Sequence, residues 1–346
     1  MKIAFLSYPM LFQYSGGLQV QIRETAAALE RLGVAVRLID SVRERLTDYD
    51  VVHVFSAING NHRLVECAKD FGLPVVVSPL IRPHWNYRLG WLARSLERGV
   101  GRLTHWQIKT EYRQITSCLE NANALLALGE IERQSIIQAF QIPAEKVCVV
   151  PNGIPARFFE ANAEVFCKHF KIEPGFILTV ASVNAHKNQL TVAQATRDTG
   201  KRFVVIGPSL PADSDYLEAL TAWPHVIYLG VIDYDNPLLA SAYAAASVFC
   251  LPSGSEVMPL SVMESLAAGT PVVMTKCHCM DLTAMRGAVT EVSPMDDKAI
   301  YSGISGFLRN MPAVEICRES VGQYTWDAVA DKVFSCYEKC ISNNRQ

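Results

Sequence analysis

Short apolar runs of strand character alternate along the whole chain with segments of helical period, and this alternation restricts the fold more than any other feature. A strand-like run over 3–7 leads into Ser15-Gly16-Gly17, after which Leu18, Ile22, Ala26, Leu29 and Leu32 recur at helical spacing until Gly33. Strand-like 34–39, 51–55 and 74–78 follow, with a helix-like segment over 61–71 between the last two. A long helical region over about 86–120 comes next, then a strand over 124–128, a helix over 130–140 and a strand over 146–150. Strands that alternate with helices in this way imply a parallel sheet covered by helices on both faces.

Pro151-Asn152-Gly153-Ile154-Pro155 is the strongest turn cluster in the chain, and a second series begins beyond it. Strands are expected over 176–181, 203–206, 226–229, 247–251 and 271–274, and helices over 188–199, 237–246 and 259–268, before an amphipathic helix over 326–341. The organisation read from this is a doubly wound domain over 1–155, a second over 156–325 and a closing helical segment over 326–346. A length of 346 residues suits two domains at about 150 residues each.

With 50% hydrophobic residues, 19% charged residues and a net charge of −2, the chain has enough apolar surface to offset its ordering entropy, which excludes disorder. A near-neutral total also argues against a nucleic-acid binder that relies on overall charge. Pro9 arrives too early for the apolar core of a signal peptide, and no run approaches 18 apolar residues, so a soluble cytoplasmic protein is expected. The ten cysteines then read as reduced, mostly buried thiols. Cys277-His278-Cys279 is too compact for ordinary zinc spacing, and no metal is expected.

Two carboxylates carry the chemistry. Glu256 follows the apolar run 248–251, which places it in a loop at a strand's C-terminal end, where open α/β sheets bind ligands. Pro259 suits a first helical turn, and Glu264 then falls four residues after Leu260 on an otherwise apolar stripe. A buried carboxylate needs hydrogen-bond donors, and a ligand's hydroxyl pair would suit; the alternative is that Glu264 turns outward or caps a neighbouring loop.

Glu256-x7-Glu264 followed by Ala267-Ala268-Gly269-Thr270-Pro271-Val272-Val273 resembles the signature of the family 4 (group 1) retaining glycosyltransferases of GT-B fold. Further pieces fall in that family's order: Ser15-Gly16-Gly17, Asp50-Val51-Val52-His53, Val149-Val150-Pro151-Asn152-Gly153-Ile154, His186-Lys187-Asn188, Tyr228-Leu229-Gly230-Val231 and Tyr324-Thr325-Trp326. The resemblance implies two Rossmann-like domains facing a central cleft, a C-terminal helix returning toward the first domain, and transfer of a hexose-type sugar from a UDP- or GDP-sugar to a saccharide or lipid-linked acceptor, with no cofactor. It implies that Glu264 holds the ribose hydroxyls and that Glu256, with backbone N–H groups of Met258 and Leu260, holds the transferred sugar and nearby phosphate. Lys187 and the Gly16-Gly17 loop would hold the diphosphate, and Val231 would meet the nucleobase through its backbone. Glycines before a helix, whose N-terminal amides favour an anion, agree with that assignment, as does a cation opposite a leaving group.

Three positions depart from the family's pattern. Ser182 stands where an arginine is usual; on the donor it can offer a hydrogen bond but no charge, a bidentate phosphate grip is lost, and either His186 or another residue compensates or catalysis is weaker. Val257 and Pro259 replace glycines, and Pro259 has no N–H to offer. Leu80 occupies a frequent histidine position; His84 is the nearest candidate for that role, set against a simple surface histidine, and Arg82 and His53 are further candidates on the acceptor side. Asp213-Ser214-Asp215 and Asp233-Tyr234-Asp235 spell D-x-D but sit among turn residues and read as solvated loops.

The net charge is itself a cancellation. Residues 1–172 hold 20 Lys+Arg against 16 Asp+Glu, and residues 173–346 hold 12 against 18. The basic excess lies at 82–113, with Arg82, Arg88, Arg94, Arg98, Arg102, Lys109 and Arg113, and Trp85, Trp91 and Trp106 share the stretch. Arg94, Arg98 and Arg102 at four-residue spacing beside Trp91 predict a helix that docks on an anionic membrane surface, set against a solvated basic face with its tryptophans in the core. Two rival functions follow from the same residues: a nucleotide-sugar epimerase on this fold, and a non-catalytic nucleotide-sugar binder.

Overall fold

The computed structural model describes residues 1–13, 15–40, 42–105 and 108–344. The chain forms two compact units, one from Met1–Gly153 together with the last helix, Trp326–Asn344, and one from Ile154–Thr325.

The first unit is built on β1 (Lys2–Leu6), β2 (Ala35–Leu38), β3 (Val51–Phe55), β4 (Val75–Ser78), β5 (Ala124–Ala127) and β6 (Val147–Val149), in the order β2-β1-β3-β4-β5-β6. All neighbours pair in parallel. The central strands are buried along their whole length, which is why β3 and β4 read as near-continuous runs, Val-Val-His-Val-Phe and Val-Val-Val-Ser. The helix Trp326–Asn344 packs on the helix Gly17–Arg31 and against β4 and β5. Gly153 lets the chain pass the Trp326 indole, since a Cβ there would lie 2.6 Å from the ring.

The second unit contains β7 (Phe176–Val180), β8 (Phe203–Ile206), β9 (Val226–Tyr228), β10 (Ala246–Leu251), β11 (Val272–Thr275) and β12 (Val289–Val292), in the order β12-β11-β10-β7-β8-β9. β12 is the strand that periodicity misses, because Val-Thr-Glu-Val on a sheet edge is only partly buried. The helical region at 86–120 is two helices, Tyr87–Leu103 and Glu111–Asn121, the second opened by Thr110, whose hydroxyl accepts from the Arg113 N–H. Helices at Ala163–Phe170, Ser214–Thr221, Asp297–Arg309 and Val314–Val321 also go beyond the expected set.

Two close contacts in the first unit yield measurable consequences. Gly90 lies where the helices Tyr87–Leu103 and Glu130–Phe140 touch, and a Cβ there would sit 2.3 Å from the Ala139 carbonyl oxygen. Gly90→Ala is expected to destabilise the protein by about 1–3 kcal/mol through overpacking, as read by urea denaturation. An unchanged unfolding midpoint would show that the helices yield freely.

Glu132 has no exposed surface; its Oε1 accepts from the Ile81 N–H and its Oε2 from the Leu128 N–H, each at 2.6 Å, and the Leu80 N–H also points to it. The carboxyl thereby ties the loop after β4 to the loop after β5 and holds Leu80 in a left-handed conformation, φ 58°. Burial pushes the Glu132 carboxyl up to about 7, against the pull of the three N–H groups. A carboxyl raised on folding binds its proton more tightly in the folded state, so its stabilising contribution is complete below about pH 4.5 and is lost as pH rises to about 7. The stability of the wild type relative to Glu132→Gln is therefore expected to fall across that interval and level off above it. A relative stability that climbs with pH in urea titrations would mean the fold prefers the carboxylate.

Candidate functional site

The second unit reverses its strand order between β7 and β10. From β7 the chain moves outward through β8 and β9, then returns to lay β10, β11 and β12 on the other side. The connections leaving β7 and β10 therefore diverge, and the crevice at the C-terminal ends of two such strands is where open α/β sheets bind ligands.

The loops after these two strands are joined by four contacts. The Gly254 N–H donates to the His186 carbonyl at 2.8 Å, His186 Nε2 meets the Ser255 carbonyl at 3.1 Å, Asn188 Nδ2 donates to the Pro252 carbonyl at 3.3 Å, and Lys187 Nζ donates to Glu256 Oε1 at 2.6 Å. Lys187 and Glu256, 69 residues apart in sequence, thus form a largely buried ion pair. The turn that presents Lys187 is shaped by asparagines. Asn184 Oδ1 accepts from the Lys187 N–H, and Asn188 takes a left-handed φ of 62° that asparagine tolerates at modest cost. Gly254 keeps the approach close, since a Cβ there would lie 3.2 Å from His186 Nδ1. His186 thus braces the β10 loop, and Ser182, at the start of the same turn, accepts from Gln189 Nε2 through its carbonyl.

Glu264 is buried on the helix Leu260–Ala267, where its Oε2 accepts from the Tyr243 hydroxyl at 2.8 Å. Burial, and then the Glu264 charge, push the Tyr243 hydroxyl well above its usual value, so it remains a donor. Pro259 caps this helix with φ −68°, and Met258 and Leu260 on either side of it are buried. Val231 is 53% exposed and follows Gly230, whose carbonyl accepts from the Gly207 N–H. The loops that carry Glu256, Lys187, the Gly207 turn and Val231 thus leave four consecutive strands, β10-β7-β8-β9, at one edge of the sheet. Sequence reading named Lys187, Glu256 and Glu264 separately; it missed that the first two meet, the roles of Asn184, Asn188 and Gly254 around them and that of Tyr243 beside Glu264, and the two asparagines near Lys187 were the available signal.

In the first unit Gly16 is the extended N-cap, φ −177°, of the helix Gly17–Arg31 that follows β1. His53 is corrected from acceptor contact to core residue: its Nδ1 meets the Tyr337 hydroxyl at 2.6 Å and its Nε2 meets Ser78 Oγ at 2.9 Å, so both nitrogens are engaged inside the unit. Burial lowers its imidazole to about 3, and the ring stays neutral. Arg82 and His84 are exposed in the loop after β4 that Glu132 anchors.

Arg94 is also corrected. The helix Tyr87–Leu103 buries Gly90, Glu97 and Gly101, and Arg94 lies on that stripe, donating to the Ala139 carbonyl at 2.6 Å and the Tyr112 hydroxyl at 3.2 Å. Four-residue steps drift by about 40° around a helix, which turns Arg98 and Arg102 out to the exposed face with Trp91, Leu92 and Leu96. Trp85 instead packs on Tyr112 and Phe140 in the core, and Trp106 lies outside the described residues. Of the D-x-D aspartates, Asp215, Asp233 and Asp235 are exposed, and Asp235 pairs with Arg157.

Two family models match the chain in sequence order, Glycosyltransferase Family 4 over residues 15–158 and Glycosyl transferases group 1 over residues 175–310. Alpha-monoglucosyldiacylglycerol synthase of Streptococcus pneumoniae is 26% identical over 310 residues, which cover 76% of this chain and 68% of the relative. For two further relatives the match spans 55% and 57% of their length. Among solved structures, sucrose-phosphate synthase from Thermosynechococcus elongatus superposes with a TM-score of 0.78 at 18% identity, covering 99% of each chain. Anabaena HepE in complex with UDP superposes with a TM-score of 0.70 at 16% identity, covering 98% of this chain and 100% of that one. With two parallel Rossmann-like sheets, and with successive stretches that match the two models, this chain belongs to the group 1, family 4 glycosyltransferases of GT-B fold.

Proposed function

We propose that the protein transfers a hexose-type sugar from a UDP- or GDP-sugar to a saccharide or lipid-linked acceptor, with retention of anomeric configuration and without a metal. The observation that carries this reading is the Lys187–Glu256 pair at the β7/β10 switch point, with the buried Glu264 on the helix that follows. The UDP held by a structural neighbour and the diacylglycerol-linked product in a relative's name favour a nucleotide donor and a lipid-linked acceptor.

When donor binds, Lys187 would exchange Glu256 for the diphosphate, and the released carboxylate would accept from hydroxyls of the sugar. Glu264 would accept from the ribose hydroxyls, and the Leu260 N–H at the helix start would face phosphate oxygen. The acceptor hydroxyl would then attack the anomeric carbon on the face the phosphate leaves, and its proton would pass to the departing phosphate oxygen. Lys187 stabilises the charge that grows on that oxygen as the bond breaks, which is the moment at which a placed cation accelerates reaction.

A thermal-shift screen of UDP- and GDP-sugars tests donor binding, because a ligand that binds only the folded state raises the melting temperature. Product analysis with and without acceptor then separates transfer from epimerisation, which consumes donor without acceptor, and from binding alone. Lys187→Ala is expected to lower transfer by about 10²–10³-fold with the circular dichroism spectrum unchanged. Near-wild-type transfer by that variant would remove Lys187 from the reaction.

The exposed face of the helix Tyr87–Leu103 supports docking at an anionic membrane, with Trp91 58% and Leu96 61% exposed beside Arg98 and Arg102. No described helix is long and apolar enough to cross a bilayer. The double variant Arg98→Glu/Arg102→Glu is expected to lose flotation with anionic vesicles while retaining donor binding. Equal flotation of variant and wild type would mean the face is merely solvated.

A further inference from the structure

Cys277-His278-Cys279, too compact for ordinary zinc spacing, lies in the loop that leaves β11. β11 is on the far side of β10 from β7, so this loop approaches that of Glu256 from the side away from the β7 loop. The Glu256 N–H donates to the Cys277 carbonyl at 2.8 Å, and the Cys279 N–H donates to the Val257 carbonyl at 2.9 Å. The contacts of His186 engage Gly254 and Ser255, whereas these two bonds engage the main chain of Glu256 itself and of the residue after it.

His278 sits between the two cysteines and is 7% exposed. Its Nδ1 accepts from the Met280 N–H at 3.0 Å, and its Nε2 meets Glu291 Oε1 on the edge strand β12 at 3.0 Å. An N–H aimed at Nδ1 leaves the ring proton on Nε2, which therefore donates to the Glu291 carboxylate. The ring thus fastens the loop in two ways. Through Nδ1 it closes a turn on its own backbone two residues on, as asparagine and aspartate side chains do, and through Nε2 it ties that turn to β12.

We propose that His278 is a positioning residue for Glu256. By fixing the loop after β11, it holds the Cys277 carbonyl and the Cys279 N–H where they set the main chain of Glu256 and Val257. The inference rests on the reading of Glu256 as the carboxylate that binds the transferred sugar. In that reaction Lys187 leaves Glu256 for the diphosphate, so the side-chain tie is given up just when the carboxylate must hold its place. The backbone bonds to the β11 loop do not depend on Lys187 and persist through the exchange. A carboxylate carried on a loop that shifts by about 1 Å can cost on the order of 10²-fold in rate, which is why the support of that loop matters.

Amide hydrogen exchange of the purified full chain, with neither donor nor acceptor present, reads the bracing directly. In His278→Ala the Glu256 and Cys279 N–H groups are expected to exchange about tenfold faster than in the wild type, while the Gly254 N–H, bonded to His186, keeps its rate. His278→Asn is expected to recover part of the protection, because its amide oxygen can accept from the Met280 N–H. The proposal is overturned by unchanged rates in His278→Ala, by equal rates in the Ala and Asn variants, or by a loss of protection that spreads to Gly254 and to Phe249 in β10. Should His278→Ala fail to fold, Glu291→Ala removes the Nε2 contact from an exposed position and is expected to raise the same two rates; unchanged rates there overturn the proposal as well. With the donor that thermal shift selects, His278→Ala is expected to lower the transfer kcat about tenfold, while the rise in melting temperature given by free UDP or GDP stays as in the wild type. An undiminished kcat beside faster exchange would remove the positioning role. Absence of transfer by the wild type would overturn the reading of Glu256, whereas the exchange rates decide the bracing in either case.

Discussion

The parallel pairing of β7 with β10 is the contact on which the candidate site depends. It joins the first strand of the second unit to a strand about seventy residues later, and Thr179 reinforces it by donating its hydroxyl to the Cys250 carbonyl at 2.6 Å. Once these strands lie side by side, the loops that leave their C-terminal ends start within reach of each other, before their connections diverge. The Lys187–Glu256 pair is a product of that proximity more than its cause. A largely buried ion pair recovers little beyond the desolvation of its two charges, and the backbone contacts between Gly254, His186, Ser255, Asn188 and Pro252 hold the loops irrespective of it. Such a pair can exchange partners without the loops coming apart, which is what the proposed reaction asks of Lys187.

The first unit solves a related problem with buried polar groups. Glu132 gathers the N–H groups of the loops after β4 and β5, and Asn61 donates to the carbonyls of Phe55 and Ser56 after β3. Neighbouring loops at one edge of the sheet are thus held by side chains withdrawn from water, where each hydrogen bond is costly to break. His53 does the same at the other end of the chain's span: it fastens Tyr337 of the last helix to Ser78 of β4, and burial keeps the ring uncharged. A polar group so placed selects one position for a helix whose apolar contacts alone would tolerate several.

The basic stretch shows how a count of charges overstates a surface. Lys109 pairs with Glu66, Arg113 with Glu120, and Arg94 is drawn into the contact between two helices. Arg88, Arg98 and Arg102 remain exposed, on the helix that also exposes Tyr87, Trp91, Leu92 and Leu96. The mixed face survives the pairing, at smaller charge than the linear sum suggests.

The sequence by itself determined the doubly wound class and the strands whose burial on both faces writes them as Val-rich runs. Those features are local: a strand buried on both sides, a helix stripe or a Gly-Gly turn leaves its mark within a few residues. Tertiary structure alone decided that Lys187 meets Glu256, that His53 is spent on Tyr337 and that Arg94 turns inward where Arg98 does not. It also decided that Glu132 is the anchor of the Leu80 turn. Each of these joins positions separated by tens to hundreds of residues, or depends on tens of degrees of helix rotation. No periodicity carries such information, because it is set by which strands become neighbours and how closely two helices approach.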